Sequence, residues 1–156
     1  MATPYAEHVL PRDPVVVLRE SYDDYLALAR KLTPETWVVA LGPGKWTVRQ
    51  VMVHVAQWEM IFGVRLRFAL GRPGHVVQTF EQDDLMAEAA VVEGPLALAV
   101  FDATRRMNIA LAESLTSGQR RQHARHPDRG DIDVEDLLVT LAGHGVHHWK
   151  QLQAAC

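Results

Sequence analysis

Apolar residues recur along most of the chain at spacings of three and four, the period of a helix with one buried face. Val15, Leu18, Tyr22, Tyr25, Leu26 and Ala29 form the first such stripe and predict an amphipathic helix to about Leu32. Asp13 before Pro14 marks its start, because Asp caps and Pro suits the first helical position. "TPE" at 33–35 ends it, and a short helical turn follows through Trp37. After the breaker "LGPGK" at 41–45, Thr47 and Gln50 have the spacing of a capping box. The second helix then carries Val48, Val51, Val55, Trp58, Phe62 and Leu66 to near Leu70, where Gly71 suits a left-handed stop. "TFEQDDLMAEAA" at 79–90 reads as a short helix capped by Thr79. Pro95 opens a third long helix through Leu98, Phe101, Met107 and Leu111 to about Leu115. Residues 117–132 are polar, with Pro127 and Gly130, and read as a loop. Asp133 caps the last helix, whose stripe is Val134, Leu137, Leu138, Leu141 and Val146.

No segment alternates with the period of a strand. The pattern therefore predicts an all-α fold, a four-helix bundle with long connections. The chain reads as one domain over residues 1–156, with an irregular proline-containing arm over 1–12. A length of 156 residues is enough to bury a core without staples. Net charge is −3, which argues against nucleic acid as a partner. The one basic cluster, "RRQHAR" at 120–125, runs into the acidic "DRGDIDVED" and reads as a solvated loop. Cys156, the single cysteine, cannot form an internal disulfide and has no catalytic context. The first residues lack the apolar segment of a signal peptide, and no apolar run reaches the ~18 residues of a membrane span. A cytoplasmic location away from membranes is the expectation.

The closing stretch "HGVHHWKQL", residues 144–152, holds three of the eight histidines in five positions. At 100° per residue, His144 and His148 lie about 40° apart, one turn above each other. Two imidazoles so placed can grip one metal ion. Both continue the Leu137–Leu141 face and so point inward, whereas His147 falls to the side. Gly143 and Gly145 flank His144 within the helix at about 0.5–1 kcal/mol each relative to Ala. Either a neighbour approaches closely there or the glycines are simply tolerated. Two histidines bind a divalent ion poorly, and His54 is the candidate third ligand, since it shares the inward stripe of Val51, Val55 and Trp58. The alternative for His54 is a core histidine with a hydrogen-bond partner. His8, His75, His123 and His126 fall in the arm or loops and are expected to be solvated. His123 and His126 would share a metal only if their segment were helical.

The segment "KWTVRQVMVHVAQWE" resembles the second-helix signature of the DinB/YfiT-like superfamily of bacterial four-helix bundles. Trp46, Thr47, His54 and Glu59 match that pattern in position. "HGVHHWKQL" resembles the last-helix signature of the same family, through His144, His148 and Gln151. The two motifs lie about 90 residues apart, and the likeness runs from about residue 13 to 153. The resemblance implies a divalent metal, commonly zinc or nickel, held by one histidine of the second helix and two of the last, with water completing the coordination. Some members are metal-dependent transferases of bacillithiol, mycothiol or glutathione, others are described as metal-dependent hydrolases, and homodimers are frequent.

Three imidazoles leave coordination positions open, the mark of a catalytic site. A dication there lowers the pKa of a water or a thiol, so either a hydrolase or a thiol S-transferase acting on a small molecule follows. A non-catalytic metal-binding, stress-related bundle is the alternative. Gln151 is a candidate to orient a histidine or the bound water, the alternative being a helix–helix hydrogen bond. Glu59, about 140° around the helix from His54, is expected in a salt bridge or a helix-packing contact rather than on the metal. Trp46 reads as a plug at the base of the bundle and Trp149 as a wall of an opening or an interface. No residue set marks the carboxylates of a particular low-molecular-weight thiol, although Arg65, Arg67, Arg105 and Arg106 are available on the second and third helices. No serine-nucleophile elbow or phosphate-binding glycine loop is present.

Overall fold

Side-chain caps mark the start of three of the four long helices. The computed structural model describes residues 2–154, so the expectation for Cys156 lies outside the described residues. Helix α1 spans Pro14–Ala29, with the Asp13 side chain accepting from the Val15 amide, and a short helix α2 spans Pro34–Trp37. Helix α3 runs Val48–Gly71 behind the Thr47–Gln50 capping box, whose two side chains each accept from the other's backbone amide. Its stop differs from the expectation: Gly71 stays helical and Gly74, with φ 77°, makes the left-handed turn.

Strand β1 follows at His75–Val76, and helix α4 at Gln82–Glu88. Thr79 lies too far upstream of Gln82 to cap α4. Helix α5 spans Gly94–Ser114, a short helix α6 spans Ser117–Arg120, and helix α7 spans Val134–Gln153. Asp133 caps α7 through the Asp136 amide, and Asp136 accepts from the Asp133 amide in return.

The expected loop at 117–132 is only partly a loop. Strands β2 (His123–His126) and β3 (Gly130–Asp133) form a hairpin, and β1 pairs with β2 in parallel. Each hairpin strand buries one apolar residue, Ala124 and Ile132, and these two face each other in register. A single inward residue per strand leaves no alternation to detect. Gly130, at φ 78°, closes the hairpin.

Around the bundle the long helices follow the order α1, α5, α3, α7, so α3 and α7 are neighbours. Two apolar clusters fill it, one around Leu18, Phe62, Leu66 and Leu138, the other around Tyr25, Val51, Met52 and Phe101. On every long helix a buried polar residue sits between the two: Ser21 on α1, Glu59 on α3, Arg105 and Asn108 on α5, His144 and His148 on α7. The result is a polar belt across the middle of the bundle. The arm is more ordered than expected. It carries a 3₁₀ turn at Ala6–His8, buries Val9 in the core and packs on α7.

Candidate metal centre

The capping box that starts α3 sets the angular position of His54, seven residues beyond Thr47. The His54 ring is 1% exposed, set between Trp46 and Trp58 with ring centroids 5.0 and 5.8 Å away. From the neighbouring α7, His144 and His148 enter the same space, 1% and 7% exposed. His144 Nε2 lies 3.0 Å from His54 Nε2. Each of the three rings offers a nitrogen, and these nitrogens fall within 4.8 Å of one another. Two nitrogens bound to one ion at 2.0–2.1 Å, with angles of 90–110°, would be separated by about 2.9–3.4 Å. The 3.0 Å pair fits that range.

Burial, then the neighbouring imidazoles, holds all three rings neutral. His54 is pushed down to about 3 by desolvation and then by the charges His148 and His147 would carry. His148 falls to about 4, chiefly by burial and against the hydrogen bond it donates to Gln151, and His144 falls well below the ordinary imidazole range for the same first cause. A neutral imidazole is the form that donates a lone pair to a metal.

Gln151 accepts from His148 Nδ1 at 2.8 Å and donates to His147 Nε2 at 3.1 Å. The first contact places the His148 proton on Nδ1 and leaves Nε2 as the lone-pair nitrogen. His54 has no such support: its Nδ1 is buried without a hydrogen-bond partner, and the Trp46 and Trp58 rings pack around it. Trp58 lies flat on His144, with centroids 3.7 Å apart and planes 3° apart. The donor set, three neutral buried imidazoles with one lone pair oriented by an amide, fits a divalent ion with open coordination positions.

The reason for the glycines around His144 is close approach on both sides. A Cβ at Gly143 would lie 2.3 Å from the Tyr5 carbonyl oxygen, and one at Gly145 2.7 Å from an Arg105 guanidinium nitrogen. Sequence reasoning missed Tyr5, although Gly143 signalled that something packs there. The Tyr5 ring sits 5.5 Å from His144, 5.3 Å from His147 and 6.1 Å from Trp58. Tyr5, Lys45, Trp46, His147, His148 and Gln151 line a cleft of about 560 Å³ at the edge of the histidine cluster.

Behind the cluster, Glu59 is in a buried salt bridge, as its angular position implied. It accepts from Arg105 at 2.6 and 2.9 Å and from Asn108 at 3.0 Å. Arg105 also donates to Ser21 Oγ and the Leu18 carbonyl. None of the four arginines considered for a thiol's carboxylates reaches the cleft. Arg105 is committed to Glu59, Arg67 donates to Asn108 and the Gly63 carbonyl, Arg106 faces Asp102 on the surface, and Arg65 lines a different cleft. Trp149 packs into the second apolar cluster instead of lining the cleft, whereas Trp46 does line it.

The remaining histidines correct another expectation. His8 is mostly covered, its ring 5.6 Å from His147, and His75 stacks on Phe68 at 5.2 Å. His126 is mostly covered and accepts from the Asp128 amide, leaving His123 as the exposed one, paired with Asp131. His123 and His126 lie on a strand, so the condition for their sharing a metal fails.

Comparison with known proteins agrees with this architecture. A protein of Oceanobacillus iheyensis named "putative metal-dependent hydrolase" is 27% identical over 115 residues, covering 72% of this chain and 66% of that protein. One of Bacillus licheniformis with the same description is 27% identical over 129 residues, covering 81% and 73%. The chain thus matches about two thirds of the length of the first of these relatives. Among solved structures, YfiT from Bacillus subtilis, described as "a probable metal-dependent hydrolase with an unusual four-helix bundle topology", superposes with a TM-score of 0.81 at 22% identity over 91% of this chain and 83% of that one. A second four-helix bundle protein gives 0.64 at 26% identity, over 90% and 96%. The profile of the DinB superfamily matches residues 18–152, and the chain belongs to that superfamily.

Proposed function

We propose that His54, His144 and His148 hold one divalent metal ion and that the protein is a metal-dependent enzyme acting on a small molecule in the adjoining cleft. One observation carries the reading: three buried imidazoles, all held neutral, converge within 4.8 Å beside a cleft large enough for a small ligand. Zinc and nickel both suit imidazole donors. A dication at this point supplies Lewis acidity, which brings the pKa of water or a thiol toward neutrality.

The protein's own residues then have defined tasks. Gln151 fixes the His148 tautomer, Trp58 and Trp46 hold the rings in place, and Tyr5 forms one side of the cleft. Lys45 and Gln82, on the cleft wall, are the groups available to bind polar parts of a substrate. The relatives' descriptions favour hydrolysis. Transfer of a low-molecular-weight thiol uses the same acidity with sulfur in place of oxygen.

The test is a paired screen of metal-loaded and EDTA-stripped protein. One arm presents ester and amide substrates, the other bacillithiol, mycothiol or glutathione with small electrophiles. Turnover that needs the metal and is lost in His148→Ala supports an enzyme, and the active arm identifies the nucleophile. No turnover in either arm with zinc or nickel leaves the non-catalytic metal-binding bundle as the better reading.

A further inference from the structure

A second cleft, of about 400 Å³, opens on the other side of Trp58, where α3 faces the segment 79–83 and the hairpin turn. Arg65 lines it and is only 7% exposed. Its guanidinium lies over the Phe62 and Phe80 rings, 4.9 and 5.2 Å from their centroids, and donates to the Gln78 carbonyl. A guanidinium has five N–H donors. Here Nε is buried with no partner, and among the described residues no carboxylate pairs with Arg65. The charged neighbour acting on it is another cation, Arg129, and burial together with that charge lowers the Arg65 pKa to about 10. Arg129 and Arg65 likewise depress His126, after burial and against Asp128.

A second donor points the same way. Trp58 Nε1, on the wall of this cleft, is buried and has no hydrogen-bond partner. Glu81, Asp83 and Asp128 also line the cleft, but they are exposed to solvent and do not pair with Arg65. A buried cation without a counter-ion and a buried N–H without an acceptor are both costly, and both belong to side chains that line this one cleft. Cation–π contact with the two rings satisfies none of the guanidinium's hydrogen-bond donors.

We propose that this cleft is an oxyanion-binding site, with Arg65 and the Trp58 indole N–H as its donors and the carboxylate or phosphate group of a small molecule as its ligand. The site is independent of the metal reading, although Trp58 is shared: its ring lies on His144.

The test is an NMR titration of the metal-stripped full chain with sodium acetate and with inorganic phosphate, against chloride at matched ionic strength. The Trp58 indole N–H resonance, identified by its absence in Trp58→Phe, should shift saturably with a dissociation constant on the order of 1 mM for at least one of the two oxyanions. The anion that saturates identifies the ligand group. Arg65→Gln should bind at least tenfold more weakly, while Arg106→Gln, at an exposed arginine elsewhere, should titrate like wild type. The proposal is overturned if neither anion moves the indole resonance beyond the chloride control at about 50 mM, or if folded Arg65→Gln titrates like wild type. Should Arg65→Gln not fold, the wild-type titration decides alone.

Discussion

Replacing Glu59 by alanine removes the one carboxylate that the described residues place in the polar belt behind the histidines. Arg105 is fully buried and would lose two charge-assisted hydrogen bonds, keeping only Ser21 Oγ and the Leu18 carbonyl. Asn108 would lose one of its two acceptors on Glu59 as well. Breaking a buried ion pair by removing one partner costs about 3–5 kcal/mol, most of it the stranded charge. For a chain of this length that is a fall in Tm of roughly 6–20 °C. The assay is urea and thermal unfolding by circular dichroism in EDTA, so that bound metal does not mask the loss. Glu59→Gln keeps an acceptor oxygen and should fall in between. The double variant Glu59→Leu with Arg105→Met removes both charges and should recover most of the stability. A cost for Glu59→Ala below about 1 kcal/mol, the level of a surface pair, would refute the reasoning, as would a double variant less stable than the single.

The remaining predictions concern the arm, the amide and pH. In Gly143→Ala the added Cβ collides with the Tyr5 backbone, so the arm should detach and limited proteolysis should cut within residues 2–12 faster than in wild type; unchanged cleavage would count against the packing described. Gln151→Ala frees His148 to adopt either tautomer and should weaken metal affinity about 10–100-fold in competition with a chelator, with the fold unchanged; equal affinity would remove Gln151 from the site. The metal-free protein should lose stability as pH falls below 6.5. The three buried histidines have depressed pKa values, so the unfolded chain binds protons that the folded one refuses. At one pH unit below 6.5 each contributes a loss of about 1.4 kcal/mol, which continues to grow toward pH 4. In His54→Ala this acid sensitivity should be smaller, and an identical pH profile would contradict the assignment of neutral buried rings.

The long helices were legible because caps and stripes agree: Asp13–Pro14, Thr47–Gln50 and Asp133 each mark a start that the fold uses. The hairpin was not, since Ala124 and Ile132 are its only buried residues and a pattern of two cannot show a period. The convergence of His54 with His144 and His148 was inferred from helical faces and a family resemblance, which supply direction but no distance. Tyr5 and Trp58 escaped notice as parts of the site for different reasons. Tyr5 lies in a segment with no periodicity, and Trp58 sits on an apolar stripe where a ring stacked on His144 looks the same as core. Gly143 and Gly145 held the missing information, because a helical glycine whose added Cβ would meet a neighbour at 2.3 or 2.7 Å records an approach the glycine itself cannot name.

The most direct test of the three-histidine centre is metal analysis by mass spectrometry of wild-type protein, His54→Ala and His148→Ala, each stripped with EDTA, reloaded with zinc or nickel and desalted. The account predicts close to one ion per chain in wild type and almost none in either variant, with both variants folded by circular dichroism. Full occupancy in both variants would contradict it.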